Sequence, residues 1–184
     1  MSYNSAIIQA TKADIDRCLE FAQAQYETSK AVYARRGQTD KDTIVRQIMQ
    51  GKIAELLIYR HLKAKFTIGE PDFNIYRGKQ KNFDADLTDG CLRFHIKNQE
   101  YESARKYGTS WVFTPSDPLI TEPEAEDILV LAVLKNDTVK ILGFLSALTA
   151  KEQSLYGDPK LRRLVGHKVV LYYKIIKDHM VREL

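Results

Sequence analysis

Asp84 and Asp86 stand two residues apart in FDADL, and His95, Lys97 and Gln99 recur at the same interval in FHIKNQ. On extended backbone that interval sends side chains to one face. Two carboxylates sharing a face suit a hard cation, since Mg2+ takes one or two carboxylates and fills the rest of its shell with water or phosphate. A surface strand with two solvated acids would show the same spacing. Likewise, His95, Lys97 and Gln99 on one face would mark an ordinary exposed edge. That plainer reading weakens if the two segments pair across Asp89-Gly90, because pairing could put the acids and Lys97 on a common face. A third acid, Glu55, is enclosed by Ile53, Ala54, Leu56, Leu57 and Ile58. Burying a carboxylate is costly unless a cation or hydrogen-bond donors meet it; a place on the solvated side of the helix is the alternative.

These residues need elements to hold them, and the apolar periodicity supplies candidates. Thr11 and Asp14 read as a helix start, followed at helical spacing by Ile15, Cys18, Leu19, Ala22 and Tyr26. This predicts a helix to about Ala34, closed by Gly37. A second helix is expected from Thr39 or Asp40 to about Lys65, and Pro71, Asn74 and Gly78 then mark a loop. FDADL and CLRFHIK alternate as strands around a turn at Thr88, Asp89 and Gly90. A short helix around Glu102 to Lys106 precedes a WVF strand. ILVLAVL, Ile128 to Leu134, is continuous enough to be covered on both faces, and Asn136-Asp137 turns the chain into VKILGFL. A helix over Ala147 to Leu155 and a strand over HKVVLYYKII, His167 to Ile176, complete the order. The expected fold is an α/β (α+β) sandwich around a mixed sheet. It forms one domain over 1–184: a helical part over 10–66, a sheet core over about 80–145, and a closing helix and strand over 147–184.

The 184 residues, 44% hydrophobic and 28% charged, fit a single globular core and argue against disorder. No signal peptide or membrane-length apolar run is evident, so a cytoplasmic protein is expected. Cys18 and Cys91 stand in no metal-ligand spacing and are expected as reduced, mostly buried thiols. A net charge of +4 permits nucleic-acid binding without requiring it. From Gly51 to Ser110 there are 11 Lys and Arg against 8 Asp and Glu, whereas Trp111 to Ala150 holds 2 against 6. The positive side should therefore contain the central segment.

In order and approximate spacing, GKIAELLIYRHL, FDADL, LRFHIKNQ and a later buried strand resemble the PD-(D/E)xK nuclease superfamily, over about Gly51 to Leu145. The resemblance implies a restriction-endonuclease-like central mixed sheet flanked by helices. It implies Glu55 as the helix acid, Asp84 or Asp86 as the strand acid and Lys97 as the motif lysine. The acid two residues before that lysine is replaced by His95, which could be a metal ligand, an outer-shell group or a bystander. The implied cofactor is Mg2+, held by Asp84, Asp86, Glu55 and His95; an imidazole also admits Mn2+. The literal Pro71-Asp72 falls in the predicted loop and is less well placed than Asp84 or Asp86.

The implied activity is hydrolysis of DNA phosphodiester bonds, with Lys97 holding the nucleophile or a phosphate oxygen. Gln99 would orient Lys97 or touch the phosphate, and His95 could take a proton from water. Arg77, Lys79, Lys81, Arg105, Lys106 and Tyr107 are candidate contacts to double-stranded DNA. A homodimer is expected for site-specific cutting of both strands, joined through the first helix or the segment from His167 to Leu184. A sequence-specific DNA endonuclease of restriction or homing type ranks first. A structure-specific repair or junction nuclease, and an inactive DNA-binding module of the same fold, are the alternatives.

Overall fold

The computed structural model describes residues 6–35, 37–76, 84–181 and 184. Helix α1 (Lys12–Ala34) opens with a capping box in which the Thr11 hydroxyl accepts from the Asp14 amide and the Asp14 carboxylate accepts from the Thr11 amide. Helix α2 (Lys41–Leu62) is capped by Asp40, whose carboxylate accepts from the Thr43 amide at 2.9 Å. It stops three residues short of the expected Lys65.

Five strands make the central sheet: β1 (Ile7–Gln9), β2 (Leu87–Thr88), β3 (Arg93–Glu100), β5 (Asp127–Lys135) and β6 (Thr138–Ser146), in the order β1-β6-β5-β3-β2. Among the described residues only β3 and β5 pair in parallel, from Arg93 opposite Asp127 to Glu100 opposite Leu134. The sheet is therefore mixed, as expected. The long return between them carries α3 (Tyr101–Tyr107), β4 (Ser110–Phe113) and α4 (Pro118–Thr121). The two-residue turn from β5 to β6 places Asn136 at φ +52°, a left-handed conformation that asparagine tolerates.

Side-chain alternation along β5 explains the layering. Ile128, Val130, Ala132 and Leu134 pack with Ile53, Leu57 and Ile58 of α2, while Leu129 and Leu131 pack in a second core with Trp111 and Phe113. Helices thus cover one face, as expected. The other is covered by a three-stranded sheet, β4-β8-β7, with β7 (Tyr156–Gly157) and β8 (Val169–Tyr172), together with α4, α5 (Ala147–Glu152) and α6 (Tyr173–Ile176). Trp111 ties this second layer to the central sheet through its indole N–H, which donates to the Ala132 carbonyl at 3.0 Å.

Three further expectations change. HKVVLYYKII is strand only through Tyr172, and Tyr173 starts a helical turn whose Ile176 is buried in the second core. Of FDADL only Leu87 enters a strand, paired together with the following Thr88, and Phe83 lies outside the described residues. Cys18 is buried but Cys91, in the β2–β3 turn, is exposed. Among the described residues no helix is long and apolar enough to cross a membrane.

The two long helices are clamped by Arg60 of α2, which donates to Asp14 of α1 from both guanidinium ends, one contact at 2.6 Å. Those bonds are the largest influence on the Asp14 carboxyl. They outweigh its burial and, with the Thr11 donors, hold it down to about 2. A carboxylate lowered on folding stabilises the fold above its ordinary value near 4, and the contribution is lost as the pH falls from there through about 2. Arg60 is 37% exposed, which discounts the effect to about 1–2 kcal/mol. Asp14→Asn is therefore expected to lower the melting temperature by about 2–6 °C at pH 7. The difference should shrink below pH 4; an equal loss at pH 7 and pH 3 in thermal denaturation would refute the assignment.

Candidate active site

Helix α2 carries Lys52 and Glu55 one turn apart, on a side of the helix that neither packs directly on the sheet nor opens fully to water. Glu55 is 19% exposed and Lys52 10% exposed, and the ammonium donates to the Glu55 carboxylate. Lys52 Nζ also donates to the Asp72 carbonyl at 2.9 Å and lies 4.8 and 5.3 Å from the ring centroids of Phe21 and Phe73. These contacts hold the 71–76 loop against both helices. The Asp72 carboxylate is itself tied down by the Tyr76 hydroxyl at 2.6 Å and the Asn74 amide at 2.8 Å.

The Glu55 carboxyl is pushed up to about 7, first by burial and then by the Asp86 carboxylate; Lys52 pulls the other way and Asp72 adds to the rise. Helix acid and strand-side acid are therefore neighbours. Asp86 sits just before β2, where the chain leaves the ladder, and its carboxylate accepts from the Ile96 amide of β3 at 2.6 Å. A side-chain oxygen here occupies the place a strand carbonyl would take. Because β2 pairs only with Arg93 and Phe94, no described strand covers that edge of β3 beyond them.

Phe94 and Ile96 point into the helix-side core, so His95, Lys97 and Gln99 leave β3 on the opposite face. His95 is 6% exposed, with Nε2 2.9 Å from Asp127, which also accepts from Arg93 Nε at 2.8 Å. Burial alone would raise the Asp127 carboxyl, but the bonds from Arg93, the Glu124 amide and His95 bring it below its usual range. This engagement leaves only Nδ1 of His95 for another ligand. Asp84 lines a cleft of about 500 Å3 on this face with Arg93, His95, Glu124 and Asp127. Lys97 Nζ lies 5.4 Å from the Phe113 ring centroid, half-buried and without a carboxylate partner among the described residues. Gln99 bridges to the second layer: its amide donates to the Gly108 carbonyl at 3.2 Å and accepts from the Ser110 amide at 2.8 Å.

The structure thus brings Glu55 and Asp86 together beside β3 and puts Asp84 with His95 across the sheet; Lys97 also leaves β3 on that second face. Lys52 and Asp72 join the acid pair without having been singled out for it. The i, i+3 spacing of Lys52 and Glu55 was the readable signal for the first, and Pro71-Asp72, set aside as a loop, for the second. Of the expected DNA contacts, Arg77, Lys79 and Lys81 lie outside the described residues. Arg105 and Lys106 are exposed on α3, with Arg105 3.2 Å from Glu102, and Tyr107 ends that helix.

Glu55 and Asp86 offer only oxygen donors, and Glu55 is raised by burial first and by the Asp86 carboxylate second, so a cation beside it would be stabilising. Both features fit Mg2+. Among the described residues no three His, Cys, Asp or Glu side chains are grouped closely enough to hold an ion by themselves, so two carboxylates with water and phosphate would be the donor set. No protein-family model matches the chain, and comparison with curated proteins finds no relative.

Proposed function

We propose that the chain is a metal-dependent DNA endonuclease of the PD-(D/E)xK type, with a restriction-endonuclease-like fold and cutting at specific sequences. The observation that carries the reading is the Asp86 carboxylate, which acts on buried Glu55 while bonded to the Ile96 amide, at an edge of the Lys97-bearing strand that no described strand covers. A bound Mg2+ would supply Lewis acidity toward water and the phosphate oxygens. Glu55 and Asp86 would hold the ion, with the Ile96 amide fixing the Asp86 carboxylate and Lys52 fixing Glu55. Lys97 would place its ammonium against a phosphate oxygen, worth most where the Phe113 ring and the sheet exclude water. Asp84, at the mouth of the cleft on the Lys97 face, is available to a second ion or to the water. Cutting both strands at one site implies a homodimer.

Supercoiled plasmid incubated with the protein and Mg2+ or Mn2+ is expected to give discrete linear fragments, and none in EDTA. Smears would replace sequence-specific cutting by a nonspecific or structure-directed activity, and intact plasmid with either ion would sink the enzyme. The commitment of His95 to Asp127 favours a second reading, a DNA-binding module of the same fold that does not cut. Retardation of duplex DNA without cleavage in either metal would select it.

A further inference from the structure

The segment from Lys160 to Lys168 contains Lys160, Arg162, Arg163, His167 and Lys168 and no acid. Far from α3 in sequence, it is laid against it in space. At one end the Lys160 ammonium donates to the Tyr107 carbonyl at the close of α3, at 2.9 Å, and the Lys160 amide donates to the Tyr172 hydroxyl at 2.9 Å. At the other end the Lys168 ammonium donates to Thr114, just past β4, at 2.8 Å. Between these anchors the segment crosses the outer face of the β4–β8 pair. Leu161 and Leu164 line a small pocket there with Val112, Val170 and Tyr172. The leucines pin the segment and leave Arg162 and Arg163, in a short 3-10 turn, exposed. Among the described residues neither arginine has an ion-pair partner.

The basic strip continues onto Arg105 and Lys106 of α3. From Gly108 to Thr114 it follows about 20 Å of extended chain, the axial length of about six base-pair steps. The same pocket is lined by Gln99, two residues along one face of β3 from Lys97, so the strip starts about 7 Å along the strand from the motif lysine. The opposite end of β3 is acidic, with Asp127, Glu124 and Asp117 around the cleft. A polyanion approaching Lys97 is therefore favoured from the Gln99 end and repelled from the Arg93 end.

We infer that the strip formed by Arg105, Lys106, Lys160, Arg162, Arg163 and Lys168 is a docking surface for the phosphate backbone of duplex DNA, leading it toward Lys97. The choice of DNA among polyanions rests on the nuclease reading. Backbone contacts of this kind fix position and add affinity without reading sequence.

The test is fluorescence anisotropy of a labelled duplex in EDTA, where no metal-dependent cutting occurs, over about 50–200 mM NaCl. R162A/R163A is expected to weaken binding about tenfold on any sequence and to reduce the slope of log affinity against log salt by about 2. Lys12→Ala, on the exposed side of α1, should change neither. Equal affinity and slope in wild type and R162A/R163A would overturn the strip. So would wild-type protein that ignores duplex DNA but binds vesicles of anionic phospholipid, which would make it a membrane surface. Strip-dependent binding by a protein that never cuts would remove the nuclease site and keep the strip. Cutting with unchanged DNA binding in R162A/R163A would remove the strip alone.

Discussion

Glu55→Gln is expected to abolish DNA cleavage while raising the melting temperature of the metal-free protein at pH 8 by about 2–6 °C. The first effect follows from losing one of two carboxylates that would hold the ion. The second follows from the direction in which Glu55 is shifted. Its carboxyl is raised to about 7 by burial foremost, then by Asp86, with Lys52 opposing. A carboxyl raised on folding binds its proton more tightly in the folded than in the unfolded chain. Stability therefore falls as pH climbs from the ordinary value near 4.3 through about 7, and the full cost is present above that. Removing one member of a buried ion pair usually destabilises, because the partner is stranded. Here the Asp72 carbonyl still accepts from Lys52, and the glutamine carbonyl can accept from it as well. Had the Lys52 pair dominated, the carboxyl would have been lowered and the same substitution would destabilise. The amide should be worth about 1–2 kcal/mol at pH 8 and nothing at pH 4. Mg2+ should raise the melting temperature of the wild type but not of the variant. A variant that melts lower than wild type at pH 8 would show that Lys52 and Glu55 form a structural pair with no call for a metal.

That reversal of sign marks a place where local sequence rules and the fold disagree, as is expected of functional sites. The apolar residues around Glu55 were legible, but whether it faced water or a cation was not, since the answer depends on Asp72 and Asp86 arriving from later in the chain. The same limit operates throughout. The Thr11–Asp14 capping box is local and readable; Arg60, 46 residues from Asp14, completes it only in three dimensions. The unbroken apolar run of ILVLAVL correctly indicated two covered faces, but not that a second sheet would cover one of them, because β4 and β8 lie far apart in sequence. In FDADL alternation was read as strand through both acids, yet the Asp86 carboxylate takes the Ile96 amide that a ladder would have used. His95 looked like a substitute for a missing carboxylate. Parallel pairing of β3 with β5 brings Asp127 to it instead, 32 residues on.

Lys97→Ala should reduce plasmid cleavage by about 10^2–10^3-fold, the usual cost of removing a preorganised charge from a phosphoryl site. Lys97 is half-buried, packs its ammonium near the Phe113 ring and has no carboxylate partner among the described residues. Its loss should therefore leave the fold almost untouched, with a melting temperature within about 2 °C of wild type. Duplex binding in EDTA should change little, because the strip supplies most of the backbone contacts. Lys97→Arg should not restore activity, since the longer, planar and delocalised guanidinium does not set a compact point charge at the position of the lysine Nζ. The molecule also contains its own control. Lys52 and Lys97 lie on opposite faces of the sheet: Lys52 is bonded to Glu55 and to the Asp72 carbonyl on the helix side, and Lys97 leaves β3 on the face of His95, which lines the cleft with Asp84. Full cleavage by Lys97→Ala, combined with none by a folded Lys52→Met, would move the working cation to the helix face and make the motif lysine a bystander. The opposite pattern requires a phosphate reached from the Lys97 face at the edge where Asp86 leaves β3, with Lys52 confined to holding Glu55 in place.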